Sequence, residues 1–173
     1  DNWYKTNISG TENEQYLADN IFCNDRSFAS NNSGTGVGVS RTYYNWFSWH
    51  GSKSNLKCPQ QNDAVTVSDT TNGNGALTYP IGLITTDEIV LAGGWTSSNN
   101  GYYLYSGSWY WASSPNDFSD YNTAYVMSVY GSGNAGNGHR VNDTGGVRPV
   151  FNLKAEVLAQ GSGTATDPYR ISS

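Results

Sequence analysis

Two histidines, His50 and His139, and a few paired acids are the obvious candidates for chemistry in this chain. Catalysis needs a nucleophile beside a base, or two carboxylates held in different surroundings. Neither histidine lies in a recognisable nucleophile motif, and the sequence contains no Gly-x-Ser-x-Gly and no His-Glu-x-x-His. Asp87 and Glu88 are adjacent, but Thr85 and Glu88 have capping-box spacing, and acids in the first turn of a helix are favoured by its exposed amides. That pair therefore reads as a helix start. Asp117 and Asp120 have the chemistry of a metal or acid-base pair, although solvation of a polar loop explains them more simply. Cys23 and Cys58 are the two cysteines. Bonded, they would close a loop of about 35 residues and stabilise the fold by roughly 4 kcal/mol. The alternative is two buried thiols; a zinc pair lacks the second ligand at finger-like spacing.

The elements that must position these residues fit in one core, since the chain has 173 residues and no internal stretch reads as a linker. Charged residues make up 13% and aromatics 14%, while Asn, Ser, Thr and Gly crowd the remainder. Tyrosine and tryptophan bury enough area to offset chain ordering, so this is a loop-rich β composition and not a disordered one. A net charge of -5 without any lysine or arginine stripe argues against nucleic acid. No apolar run approaches the length needed to span a bilayer, and Asp1-Asn-Trp-Tyr4 is no signal peptide.

Along the chain, Thr11 and Glu14 have capping-box spacing and predict a short helix over about Glu12–Asp19. Residues 27–57 are a long irregular excursion carrying the aromatic patch Tyr43–His50, bracketed by the cysteines and expected to be stapled by them. Ala64–Ser68 alternates as a strand, and Gly73–Gly75 turns the chain. The strongest helix signal covers Thr86–Ala92, with the Thr85/Glu88 box, Ile84 and Ile89 at staple positions, and Gly93 or Gly94 as a left-handed stop. Three β-rich runs follow, 102–115, 124–131 and 145–153. The first is expected to fold as a hairpin, Tyr102–Tyr105 against Trp109–Ala112 across a Ser106-Gly107-Ser108 turn, with Tyr103, Tyr105, Trp109 and Trp111 on one side. Residues 116–123 and 131–145 are expected to be loops. Arg148 reads as structural, paired with a carboxylate or with carbonyls in the core.

The run Trp111-Ala-Ser-Ser-Pro115, followed by Gly146-Val-Arg-Pro-Val150, resembles the end of a C-type-lectin-like domain. It is most similar to the branch shared by formylglycine-generating-enzyme-like domains and the variable proteins of diversity-generating retroelements, as found in bacterial surface and phage-associated proteins. The segments Tyr79–Glu88 and Cys23–Arg26 carry the same likeness. The resemblance implies an α+β fold with short helices on small twisted antiparallel sheets and long irregular loops. It covers residues 1–155; residues 156–173, with Gly161-Ser-Gly-Thr164 and Asp167-Pro-Tyr-Arg-Ile171, are expected as a terminal turn and edge strand packed on that domain. It further implies a buried Trp111. Calcium is the one cofactor suggested, through Asp117, Asn142 and Asp143, where Asx turns are an equal explanation. The cysteine pair used by formylglycine-generating enzymes late in the chain has no counterpart here, so that activity is not expected.

The function expected is non-catalytic: an extracellular or cell-surface, bacterial or phage-borne, adhesin-like module that binds a protein or glycan through its C-terminal loops. Tyr103, Tyr105, Trp109, Tyr121, Asn122, Asn134, Asn137, His139, Arg140 and Asn142 are the candidate contacts. Tyrosine, asparagine, serine and glycine together supply rigid amphipathic contact with adaptable hydrogen bonding. Rival readings are a subunit that self-assembles into a pilus-like surface fibre and a glycan-processing enzyme.

Overall fold

A computed structural model describes residues 1–24, 26, 39–40, 56–94, 96–118, 123–164 and 166–171 of the chain. The fold is α+β: short helices and turns surround small antiparallel sheets. The principal sheet has four strands in the order β3 (Val39–Ser40), β5 (Tyr110–Phe118), β6 (Ala124–Val129), β7 (Ala135–Arg140). Among the described residues there are also three two-stranded pairs: β1 (Leu17–Ala18) with β8 (Asn152–Leu153), β2 (Phe22–Cys23) with β4 (Ala64–Val65), and β9 (Leu158–Gln160) with β10 (Arg170–Ile171).

Alternation along β5 and β6 decides what is buried. Tyr110, Ala112, Met127 and Val129 turn to one side, where they pack with Ala135, Tyr102 and the helix residue Ile89. Pro115 sits within β5 opposite Val126, and the register shifts on either side of it. A proline cannot donate to the ladder, and such irregularities are where a strand tolerates one.

Helix α2 (Thr86–Leu91) forms as its local signals dictate. Thr85 accepts from the Glu88 amide, and the Glu88 carboxylate accepts from the Thr85 amide at 2.8 Å. Asp87 and Glu88 therefore occupy a first turn, as read from the sequence. At the other end Gly93 is left-handed (φ 98°), its amide bonds to Val90 and that of Gly94 to Ile89. These are the two bonds of a Schellman stop. Ile84 and Ile89 are both buried in the core cluster, and the Ser114 hydroxyl accepts from the Thr86 amide at 2.9 Å, locking the helix start onto β5.

The N-terminal region departs from expectation. The first helix, α1, is Asn2–Asn7, and Glu12–Tyr16 is a 3-10 turn that leads directly into β1. Thr11 makes no cap; its hydroxyl donates to Ile8, while Glu14 accepts from the Tyr4 hydroxyl at 3.1 Å and the Gly10 amide at 2.8 Å. Tyr4, fully buried, stacks on Tyr79 at 4.6 Å. The expected strand over 64–68 shortens to Ala64–Val65, because the amides of Val67, Ser68 and Asp69 turn to the Asp19 carboxylate instead of a ladder.

Cys23 and Cys58 form a disulfide, with their Cα atoms 5.6 Å apart. Close by, the buried Asp63 carboxylate takes the Arg26 guanidinium and, at 2.9 Å, the Arg26 amide. The excursion between the cysteines, with its aromatic patch and His50, lies outside the described residues apart from Asn24, Arg26, Val39–Ser40 and 56–57.

Candidate functional site at the turn end of the sheet

The hairpin expected over 102–112 does not form. Tyr102–Tyr105 is a turn closed by the Tyr105 amide on the Tyr102 carbonyl, and the strand from Tyr110 pairs with Ala124–Val129 instead. Two donors explain the choice. The Leu104 carbonyl accepts from the Tyr110 hydroxyl and from Arg148 Nη1, so it is not available to a ladder. Tyr102 goes into the core, whereas Tyr103 is 88% exposed and Tyr105 is exposed at its margin. Burial pushes the Tyr102 phenol well above its ordinary range, the neighbouring Tyr110 adds to this, and the Arg148 charge opposes it.

The segment leading into this tyrosine turn is bolted to the β6–β7 connection. Tyr130 and Asn134 close that connection, with Gly133 left-handed at φ 79°. The Asn99 amide bonds to Ser132 at 3.1 Å, and Asn134 Nδ2 to the Thr96 carbonyl at 2.9 Å. Asn99 spends both ends of its side chain, donating to Gly93 and accepting from Gly101. A side chain at position 133 would collide with the Asn99 carbonyl, so only glycine permits this approach.

Residues 131–145, expected to be one loop, contain β7. Asn137, His139 and Arg140 are therefore strand residues, opposite Ser128, Val126 and Tyr125. The glycines and asparagines that suggest a loop here sit in a ladder with β6. Next to this strand lies an aromatic cluster: the His139 ring stacks on Trp109 at 4.4 Å, meets Trp111 edge-on at 5.9 Å and lies 5.0 Å from Tyr130. Trp109 and Trp111 meet edge-to-face at 5.1 Å. Trp111 is thus half-buried on this face and not a core residue; its neighbours Tyr110 and Ala112 take the core positions. The Gly145 backbone lies against the six-membered ring of Trp109, where any side chain would clash.

His139 Nδ1 lies 2.7 Å from the Ser128 hydroxyl. A serine beside a histidine has the elements of a nucleophile and base. Ser128, however, is 1% exposed, so the contact orients the imidazole against the indole and does not offer an oxygen to a substrate.

The remaining candidates are dispersed. Arg140 is exposed and its Nε reaches the Tyr125 hydroxyl at 3.4 Å. Asn142 is exposed in the turn after β7, and Asp143 accepts from the Arg140 amide within that turn. Asp117, weighed as a calcium ligand in a loop, belongs to β5. Trp95, Asp120, Tyr121 and Asn122 lie outside the described residues, as do the side chains of Asp117 and Asn137. Among the described residues no three His, Cys, Asp or Glu side chains gather as a metal cluster, and no helix is long and apolar enough to cross a membrane. Tyr102, Tyr130 and Arg148 were not among the candidates. A lone arginine in the apolar Gly146–Val150 run was the available signal for the last.

Neither the curated proteins nor the solved structures yield a match to this chain. Residues 3–155 match a family model described as Domain of unknown function (DUF6273), a span that begins within α1 and ends just after β8. The chain belongs to that family.

Proposed function

We propose that this chain is an extracellular, non-catalytic recognition module of C-type-lectin-like type that binds a protein or glycan through the turn end of its four-stranded sheet. One observation carries the reading. Tyr103 stands 88% exposed on a turn whose neighbouring residues are fixed, Tyr102 by burial and Leu104 by two donors to its carbonyl. A large amphipathic side chain held out from a rigid support gives contact area at little ordering cost. The short helices on small antiparallel sheets support the fold assignment, and the Cys23–Cys58 disulfide fits an oxidising compartment outside the cytosol.

The test is capture of ligands by the intact chain on glycan and protein arrays, with calcium and with chelator. Tyr103→Ser should reduce capture strongly while leaving Tm unchanged. Capture indifferent to both Tyr103→Ser and Tyr105→Ser overturns the assignment of this face.

A further inference from the structure

The sequence holds four Asn-Gly steps, Asn72-Gly73, Asn74-Gly75, Asn100-Gly101 and Asn137-Gly138. In such a step the glycine amide nitrogen can attack the carbonyl carbon of the preceding side chain, because no Cβ on the glycine hinders the approach. Both groups must first be released from the partners they have in the fold, so local structure decides which step reacts.

Three of the four are held. Asn74 donates from Nδ2 to the Asn62 carbonyl at 3.0 Å and accepts from the Ala76 amide at 3.0 Å, while the Gly75 amide donates to the Thr66 hydroxyl at 3.1 Å. Electrophile and nucleophile are both engaged there. The Asn72 side chain and amide donate to the Asp69 carboxylate at 2.9 Å and 3.0 Å, and Gly73 is buried against Thr66 with its carbonyl taken by Gln61. Asn137 and Gly138 lie in β7 opposite Ser128 and Met127, and must leave the ladder before the side chain can fold back onto the next amide. Asn100-Gly101 is different. Both residues are exposed, the Asn100 side chain has no hydrogen bond among the described residues, and one exposed bond, to Asn99 Oδ1 at 3.0 Å, restrains the Gly101 amide.

We propose that Asn100 is a site of spontaneous deamidation. The Gly101 nitrogen bonds to Asn100 Cγ and Nδ2 departs as ammonia, leaving a cyclic imide that water then opens. Opening at Cγ gives aspartate; opening at the main-chain carbonyl gives isoaspartate, whose backbone runs through one extra methylene. The lengthened link falls between Asn99, fastened to Ser132 and Gly93, and the buried Tyr102. It undoes the bond from Gly101 to Asn99 and slackens the support of the Tyr103 turn. The modification needs no partner and stands apart from the recognition reading.

The experiment incubates the intact chain in mildly alkaline buffer made with heavy-oxygen water, with and without denaturing guanidinium, and quantifies each Asn-Gly peptide by mass spectrometry. An isoaspartyl methyltransferase marks the isoaspartate fraction. In the folded chain Asn100 should react faster than Asn74 by about tenfold or more, the effect of two further hydrogen bonds that must open. Asn72 and Asn137 should be slow as well, and in denaturant the four steps should react at similar rates. Gly101→Ala, whose methyl would meet Asn99 Oδ1 at an ordinary 3.6 Å, should suppress reaction at position 100 while the chain stays folded. The isoaspartate form should show faster hydrogen exchange at the Asn99 and Gly101 amides. If Asn72, Asn74 or Asn137 reacts as fast as Asn100 in the folded chain, or if the ranking is the same in denaturant, the proposal is overturned. Unchanged exchange at Asn99 overturns the slackening of the turn.

Discussion

The imidazole of His139 lies parallel to the indole of Trp109, with ring centres 4.4 Å apart and planes 12° from parallel. Ser128 sets the imidazole from beneath, 2.7 Å from Nδ1. Because Trp111 and Tyr130 also touch this imidazole, it is the hub of the cluster. His139→Ala should cost the stacking contribution, about 1 kcal/mol beyond lost area. Near-UV circular dichroism, which reports the fixed asymmetry of the indoles, should change while the far-UV spectrum does not.

The disulfide closes a separation of 35 positions. Replacing Cys23 and Cys58 by serine should lower the unfolding free energy by about 4 kcal/mol on the chain-entropy account. Urea unfolding of the intact chain with and without reductant checks this; coincident transitions would show that the crosslink contributes nothing.

At the start of α2, Thr85→Ala removes the side-chain half of a complete capping box. The expected loss is about 1 kcal/mol. Thr85→Ser, which keeps the acceptor, should recover most of it in the same thermal melt.

Two groups give the fold opposite pH sensitivities. Burial raises the Asp19 carboxyl, but the amides of Val67, Ser68 and Asp69 and the Ser68 hydroxyl outweigh it and hold Asp19 below its ordinary value. Its folded-state affinity for a proton is thus depressed, so its contribution is present above the ordinary carboxylate range and fades as pH falls through the lower native value. Asp19→Asn should destabilise the chain at neutral pH and flatten the acid limb of the stability curve.

Tyr4 behaves in the reverse sense. Burial first, and then its hydrogen bond to Glu14, push the phenol up to about 12. The native state keeps the proton longer than the unfolded chain, so stability is whole below the ordinary tyrosine value, near ~10, and is lost as pH rises toward the native one. Tyr4→Phe should abolish that alkaline loss in unfolding titrations, at the expense of one hydrogen bond at neutral pH.

The same sequence signal produced two outcomes, which shows what was legible and why. Thr85 and Glu88 form a capping box; Thr11 and Glu14, at equal spacing, do not. In α2 every signal lies within a few residues, from Ile84 to the glycine stop, and the Ser114 hydroxyl reinforces the start by accepting from the Thr86 amide. Glu14 is claimed from outside by Tyr4 and Gly10, and a 3-10 turn results. The missed hairpin has a similar cause. The alternating aromatics of 102–112 suit a strand pair, but the Leu104 carbonyl is decided by Arg148, 44 positions away. Composition misled at β7, where Gly-Asn-Gly suggests a loop and yet the ladder with β6 runs through it. The cysteine pair needed only counting and closure arithmetic, and it was correctly read.

Leu17 and Leu153 are cross-strand partners, although nearly the whole family region separates them. Closing so long a contour is entropically expensive before any contact compensates, and chains dominated by distant pairings fold slowly. During synthesis β1 must wait, its backbone groups unmatched, until β8 has emerged. An interrupted chain lacking β8 would leave β1 open to strand exchange with a neighbour.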